Sequence, residues 1–126
     1  SLKARASDGG PQIGLEVLAE HAPANVANCF AAVLREALSN AMRHAHAKTI
    51  TVRCMEHPSF YQLIVTDDGA DATPASSSNV AEGMGLVSMR ERVEALGGTF
   101  TAGLRAGAPG WRVFATVPKQ QGDDAR

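Results

Sequence analysis

Aromatic side chains are scarce, at 5% of 126 residues with one Trp and one Tyr. So thin a scatter offers bases no stacking platform, and a net charge of −1 leaves no basic stripe, so no nucleic-acid partner is expected. Cysteine is rare too. Cys29 and Cys54 lie in apolar patterns, far from any CxxC or Cys/His metal spacing, and read as buried, reduced thiols of a cytoplasmic protein. No apolar run approaches the roughly 20 residues of a membrane span. The first residues also lack the charged-then-apolar order of a secretory signal. The expectation is a cytoplasmic domain without membrane contact; any anchor of a longer parent would lie in other segments. A chain of 126 residues can bury one core without disulfides or structural metals.

What is present is ordered punctuation. Residues 1–10, rich in Ser, Ala, Lys, Arg and Gly, read as a linker or frayed helix end, 11–118 as one domain, and 119–126 as a disordered tail. Ile13, Leu15 and Val17 alternate as a short strand does. Pro23 suits a first helical turn, and apolar residues then recur at helical spacing from about 24 to 46. Thr49 to Met55 and Phe60 to Thr66 form an expected hairpin, with Ile50, Val52 and Cys54, then Tyr61, Leu63 and Val65, on the inner side. Residues 67–85 are small, polar and glycine-containing, the composition of a mobile loop. A helix over Met84 to Leu96 stops at Gly97-Gly98, and strands over about 99–105 and 111–117 follow. The predicted fold is a two-layer α+β sandwich, helices packed on one face of a mixed, mostly antiparallel sheet.

Three segments point to nucleotide chemistry. On the first helix Glu36, Asn40 and His44 stand four residues apart on one polar stripe, backed by Phe30, Val33, Leu34, Ala37, Leu38 and Ala41. Asn40 offers a neutral oxygen to a hard cation such as Mg²⁺, which takes its other ligands from water and substrate phosphates. Glu36, one turn away, is placed to accept a proton from a nucleophile, and Arg43 and His44 to offset phosphate charge. The second segment is Asp67-Asp68-Gly69 after a strand. Asp67 shares the parity of Leu63 and Val65 and should point inward, where a carboxylate needs a donor such as the adenine amine. Gly69 allows the backbone to approach the base closely. The third is Gly83-Met84-Gly85-Leu86 at a helix start, whose free amides face phosphate oxygens. The loop before it would order over bound nucleotide. Taken singly, each segment also has a plain reading as a solvated face, a turn and a flexible helix start.

In that order, the segments resemble the ATP-binding catalytic domain of a bacterial two-component sensor histidine kinase, nearest to the nitrate-sensor and DesK-like subfamily. Arg35 to Ala45 (REALSNAMRHA) resembles the N box, Asp67-Asp68-Gly69 the G1 box, Gly83 to Leu86 the G2 box, and Met89 to Phe100 (MRERVEALGGTF) the subfamily's glycine-punctuated helix and strand. The resemblance covers roughly residues 24–118. It implies the fold shared by gyrase, heat-shock chaperone, histidine kinase and mismatch-repair ATPases, with ATP and Mg²⁺ as ligands. It further implies Glu36 as catalytic acid/base, Asn40 as Mg²⁺ ligand, and Arg43 and His44 as phosphate-side contacts. Asp67 would hold adenine, Gly69 line the base, and Gly83, Met84, Gly85 and Leu86 form the phosphate end. The implied partners are a dimerisation domain carrying the phosphoacceptor histidine and, downstream, a response regulator.

Two departures stand out. The second glycine of the G1 box is Asp71, whose charge repels an anionic nucleotide and predicts weakened ATP binding. No segment fits the phosphoacceptor helix, since His21, His44, His46 and His57 occupy other contexts. Two rival readings share the boxes: an anti-sigma-factor-type serine kinase, and a degenerate interaction module in which Asp71 marks a decayed site. The MRERVEALGG helix argues against the first.

Overall fold

The computed structural model describes residues 2–5, 12–17, 21–42, 48–69, 85–108 and 110–119. Six strands form one sheet: β1 (Leu2–Arg5), β2 (Gln12–Val17), β3 (Thr49–Glu56), β4 (Phe60–Asp67), β5 (Thr99–Leu104) and β6 (Trp111–Pro118), in the order β1-β2-β3-β4-β6-β5. The helices among the described residues are α1 (Ala24–Asn40), between β2 and β3, and α2 (Leu86–Glu94), between β4 and β5. Among the described strands only the β2–β3 pair is parallel, Ile13 facing Ile50 and Leu15 facing Val52; α1 is the crossover that such a pair requires. The expected mixed, mostly antiparallel α+β sandwich is therefore what the chain forms.

Alternation places the core. Along β4, Tyr61, Leu63, Val65 and Asp67 are buried, and along β6 Trp111, Val113, Ala115 and Val117. These meet Val26, Phe30, Val33 and Ala37 of α1 and Met89 and Val93 of α2. Fully burying a side chain of this size contributes about 1.5–3 kcal/mol. This inner face holds the helices in register over the sheet.

Two boundaries differ from the sequence reading, and the end of the first helix falls beyond the described residues. Leu2–Arg5, within the stretch read as a linker or frayed helix end, is a strand paired antiparallel to β2, Leu2 opposite Leu15. Four residues show too little alternation to reveal a strand, and the unpaired edge of β2 decides their conformation. The regular α-helical ladder runs to Asn40, and Ala41 and Met42 continue it in a wider, π-type turn toward the end expected near residue 46. Residues 43–47 lie outside the described residues. Lys119, placed in the expected tail, is held: its amide donates to the Ser59 carbonyl (2.9 Å) and its ammonium to Glu56 (2.7 Å).

The C-terminus of α2 follows the sequence closely. Gly97 takes φ +78° while its amide bonds the Glu94 carbonyl and that of Gly98 bonds Val93. This paired closure caps a helix with a left-handed glycine. Gly98 has its own reason to be glycine, since a Cβ there would overlap the Thr116 carbonyl oxygen.

Candidate functional site

The site is assembled from the end of α1, the start of α2 and the end of β4. Burial of Val33 and Ala37 turns the next stripe of α1, Glu36 and Asn40, to the margin of the core. Asn40 is only 5% exposed. Its Oδ1 is buried, and the residue is engaged by interactions of its own within the fold. Glu36 is half-buried and lies against Gly85, the residue from which α2 starts. Gly85 adopts φ +72°, and its carbonyl accepts the Met89 amide, the first turn of α2. A Cβ on Gly85 would stand 2.9 Å from Glu36 Cδ and 3.2 Å from Cγ and Oε2. Glycine thus allows the carboxylate to reach the amino end of a helix, where the dipole favours negative charge. Leu86, next in line, packs partly buried against the core.

Asp67 occupies the inner face at the end of β4, 6% exposed. Its Oδ1 accepts the Gly69 amide at 2.9 Å, and the Trp111 backbone amide also donates to the carboxylate. Burial pushes the Asp67 carboxyl above the usual carboxylate range, against the pull of those two amides and of Arg105, with Asp68 adding to the rise. Holding this anion inside is costly, and a further donor would relieve it.

Asp68 faces the other way and does other work. Its Oδ1 accepts the Lys48 amide at 2.8 Å and the Thr49 amide at 2.9 Å, while its own amide donates to the Thr49 carbonyl. Slight burial opposes ionisation, but the Thr49 and Lys48 amides, its own amide and the Thr49 hydroxyl outweigh it, so the Asp68 carboxyl sits below the usual range. The adjacent carboxylates are thereby split into a buried anion facing the helices and a brace fixing the start of β3. Sequence reasoning missed the brace, and also Gly110. There φ is +121°, and a Cβ would overlap the Asp67 carbonyl oxygen and come within 3.0 Å of Asp68 Cα. The only signal was a glycine in a turn-rich run, which did not reveal its close approach to the β4 end.

The structure thus brings Glu36 against Gly85 and joins Asp67 to Gly69. Of the remaining expected site residues, Arg43, His44, Gly83 and Met84 lie outside the described residues, as does Asp71. Cys29 and Cys54 are free thiols that burial pushes above the ordinary range, as expected of inert, packed cysteines. Among the described residues no helix is long and apolar enough to cross a membrane.

Comparison with known proteins gives this geometry a lineage. Residues 26–121 match the family described as histidine kinase-, DNA gyrase B- and HSP90-like ATPases. The chain is 36% identical over 88 residues to the signal transduction histidine-protein kinase/phosphatase UhpB of Salmonella typhimurium, covering 70% of this chain and 16% of that protein. It is 32% identical over 95 residues to the nitrate/nitrite sensor protein NarQ of Escherichia coli, covering 75% of this chain and 16% of that protein. Both alignments thus touch only a small part of those relatives' length. The fold is that of the histidine kinase domain of the blue-light activated histidine kinase from Erythrobacter litoralis, with a TM-score of 0.65 at 22% identity, over 84% of this chain and 51% of that one. Matched across most of its domain, and carrying its sequence boxes in order, the chain belongs to the histidine kinase-, DNA gyrase B- and HSP90-like ATPase family, in its sensor histidine kinase branch of the nitrate-sensor and DesK-like type.

Proposed function

We propose that this domain binds Mg-ATP and, within its parent kinase, passes the γ-phosphoryl group to a histidine on a dimerisation domain, from which a response regulator is served. The observation that supports this most is the seat of Glu36 against Gly85, which sets a carboxylate base at the amino end of a helix. Asp67 receives the adenine amine as a further donor to its buried carboxylate, and Gly69 lines the base. Gly83, Met84, Gly85 and Leu86 take the phosphates, and Arg43 and His44 offset their charge.

The residues present fit Mg²⁺ as well. Asn40 offers a hard, neutral amide oxygen at the buried end of α1 one turn from Glu36, and such an ion needs few protein ligands when phosphates supply the rest. Bound there, Mg²⁺ would neutralise charge on the phosphate oxygens. In transfer, a histidine ring nitrogen forms a bond to the γ-phosphorus as the bond from that phosphorus to the bridging oxygen breaks. ADP leaves with the electron pair, and Glu36 accepts the ring proton. Most of the rate comes from positioning, since such transfer asks little covalent chemistry of the protein.

Two substitutions separate these roles. Asn40→Ala should abolish the Mg²⁺-dependent part of nucleotide binding in calorimetry. Glu36→Ala should keep binding while transfer in the full-length kinase falls by about 10²–10⁴-fold, the usual yield of a positioned base. Wild-type transfer by the Glu36 variant would remove the proposed base.

A further inference from the structure

The helix layer carries a second polar feature, which shares Glu36 with the site above. α1 and α2 leave between them a cleft of about 340 Å³, lined by Ala32, Arg35, Glu36 and Ser39 on one side and by Ser88, Met89 and Arg92 on the other. The α1 positions fall three, four and seven residues from Ala32, and the α2 positions one and four residues from Ser88. Each helix therefore turns a single face to the cleft. Met89, 1% exposed, forms part of its base, while Arg35, Ser88 and Arg92 are exposed and Ser39 is half-buried.

Among the described residues, two cations here lack the usual uses of surface arginine. Arg90, two residues from Arg92, gives its guanidinium to the Phe100 carbonyl at 3.1 Å and lies over the Phe100 ring. Arg53 pairs with Glu16 at 2.8 Å. Arg35 and Arg92 make no ion pair with any described residue. Their charges flank the cleft, Ser39 and Ser88 add two hydroxyls, and Glu36 stands in the same wall. Planar guanidinium forks beside hydroxyl donors are chemistry for an oxyanion, and Arg favours the bidentate geometry of a carboxylate.

We infer that this cleft is a docking site for an acidic side chain on the protein segment that presents the phosphoacceptor to Glu36. The inference rests on the proposed role of Glu36. A carboxylate placed between Arg35 and Arg92 brings its neighbours in the chain to Glu36, because that residue lines the same cleft. The volume lies at the low end of ligand pockets, a size for a few side chains. An anionic anchor also offsets two positive charges that make no ion pair among the described residues. The arginines act here as positioning residues for transfer.

The experiment uses Arg35→Ala, Arg92→Ala and the double variant. In this domain Mg-ATP affinity is measured by calorimetry; in the full-length kinase the ATP KM, the transfer rate at saturating ATP and its salt dependence are measured. Both side chains are exposed, so thermal melts should match wild type. The expected result is unchanged ATP affinity and KM, with transfer reduced about tenfold per arginine, as loss of a charge-assisted hydrogen bond predicts. The wild-type rate should fall as salt rises and that of the double variant should be flat. Arg53→Ala, already paired on another element, should behave as wild type. A fall in ATP affinity parallel to the fall in rate would assign the arginines to the nucleotide and overturn the docking role while leaving the kinase reading intact. Unchanged transfer and salt response would overturn it as well, marking a solvated surface. Failure of wild type itself to bind Mg-ATP would instead strike the proposed function.

Discussion

Replacing Gly85 with Ala tests the seat of Glu36 against a built-in control. Gly85 and Gly97 both hold left-handed backbone, at φ +72° and +78°, so Ala at either pays about 1–2 kcal/mol of backbone strain. Their surroundings differ. At Gly97 the nearest atom to a new Cβ is Pro118 Cγ at 3.7 Å, an ordinary contact. At Gly85 it is Glu36 Cδ at 2.9 Å, too close to persist. The end of a flexible side chain moves away cheaply, so the extra loss of stability should be small. Function should not be so tolerant, since a base displaced by about 1 Å loses on the order of 10²-fold in rate. Melting curves should therefore show similar losses for the two variants. Transfer by the full-length kinase at saturating ATP should fall about 10²-fold for Gly85→Ala and stay near wild type for Gly97→Ala. Equal transfer by both variants, at either level, would refute the idea that Gly85 is glycine because Glu36 leans on it.

Other consequences follow from the β4 end. Gly110→Ala should cost about 2–4 kcal/mol in denaturant unfolding, because its Cβ has no room beside the Asp67 carbonyl. Asp67→Asn should melt no lower than wild type at neutral pH while losing adenine affinity in calorimetry, since it removes a buried charge and the proposed base contact together. The two carboxylates should also oppose each other in pH dependence. The folded value of Asp67 lies above its unfolded one, so its contribution is fullest below the ordinary carboxylate range and is lost as pH rises through the folded value. Asp68 is depressed, so its contribution is present above the ordinary range and is lost as pH falls through its folded value. Denaturant midpoints of Asp67→Asn and Asp68→Asn across acid pH should diverge from wild type in these opposite senses. Asp71→Gly should tighten Mg-ATP binding in calorimetry by removing a charge that repels an anionic nucleotide.

What could be read from the chain was whatever local spacing encodes. The apolar period of α1, the alternation that turns Asp67 inward with Leu63 and Val65, and the stop at Gly97-Gly98 all follow from periods of 3.6 or 2 and from glycine chemistry. What could not be read depends on partners distant in sequence. β1 exists because the edge of β2 is open, and the parallel match of β2 with β3 depends on where α1 returns the chain. Asp68 looked like one of several carboxylates in a turn; its role depends on amides about twenty residues earlier. Gly110 resembled any turn glycine until the β4 terminus was folded against it. In Arg35 and Arg92 nothing in sequence says that two helices lay them beside one cleft.

The central claim is that Glu36, Asn40, Asp67 and the α2 start form one working nucleotide site despite Asp71. Calorimetric titration of the wild-type domain with Mg-ATP addresses it most directly. The account predicts saturable binding of one nucleotide per domain, weakened when Mg²⁺ is chelated and lost in Asp67→Asn. Absence of saturable heat at millimolar Mg-ATP would contradict it.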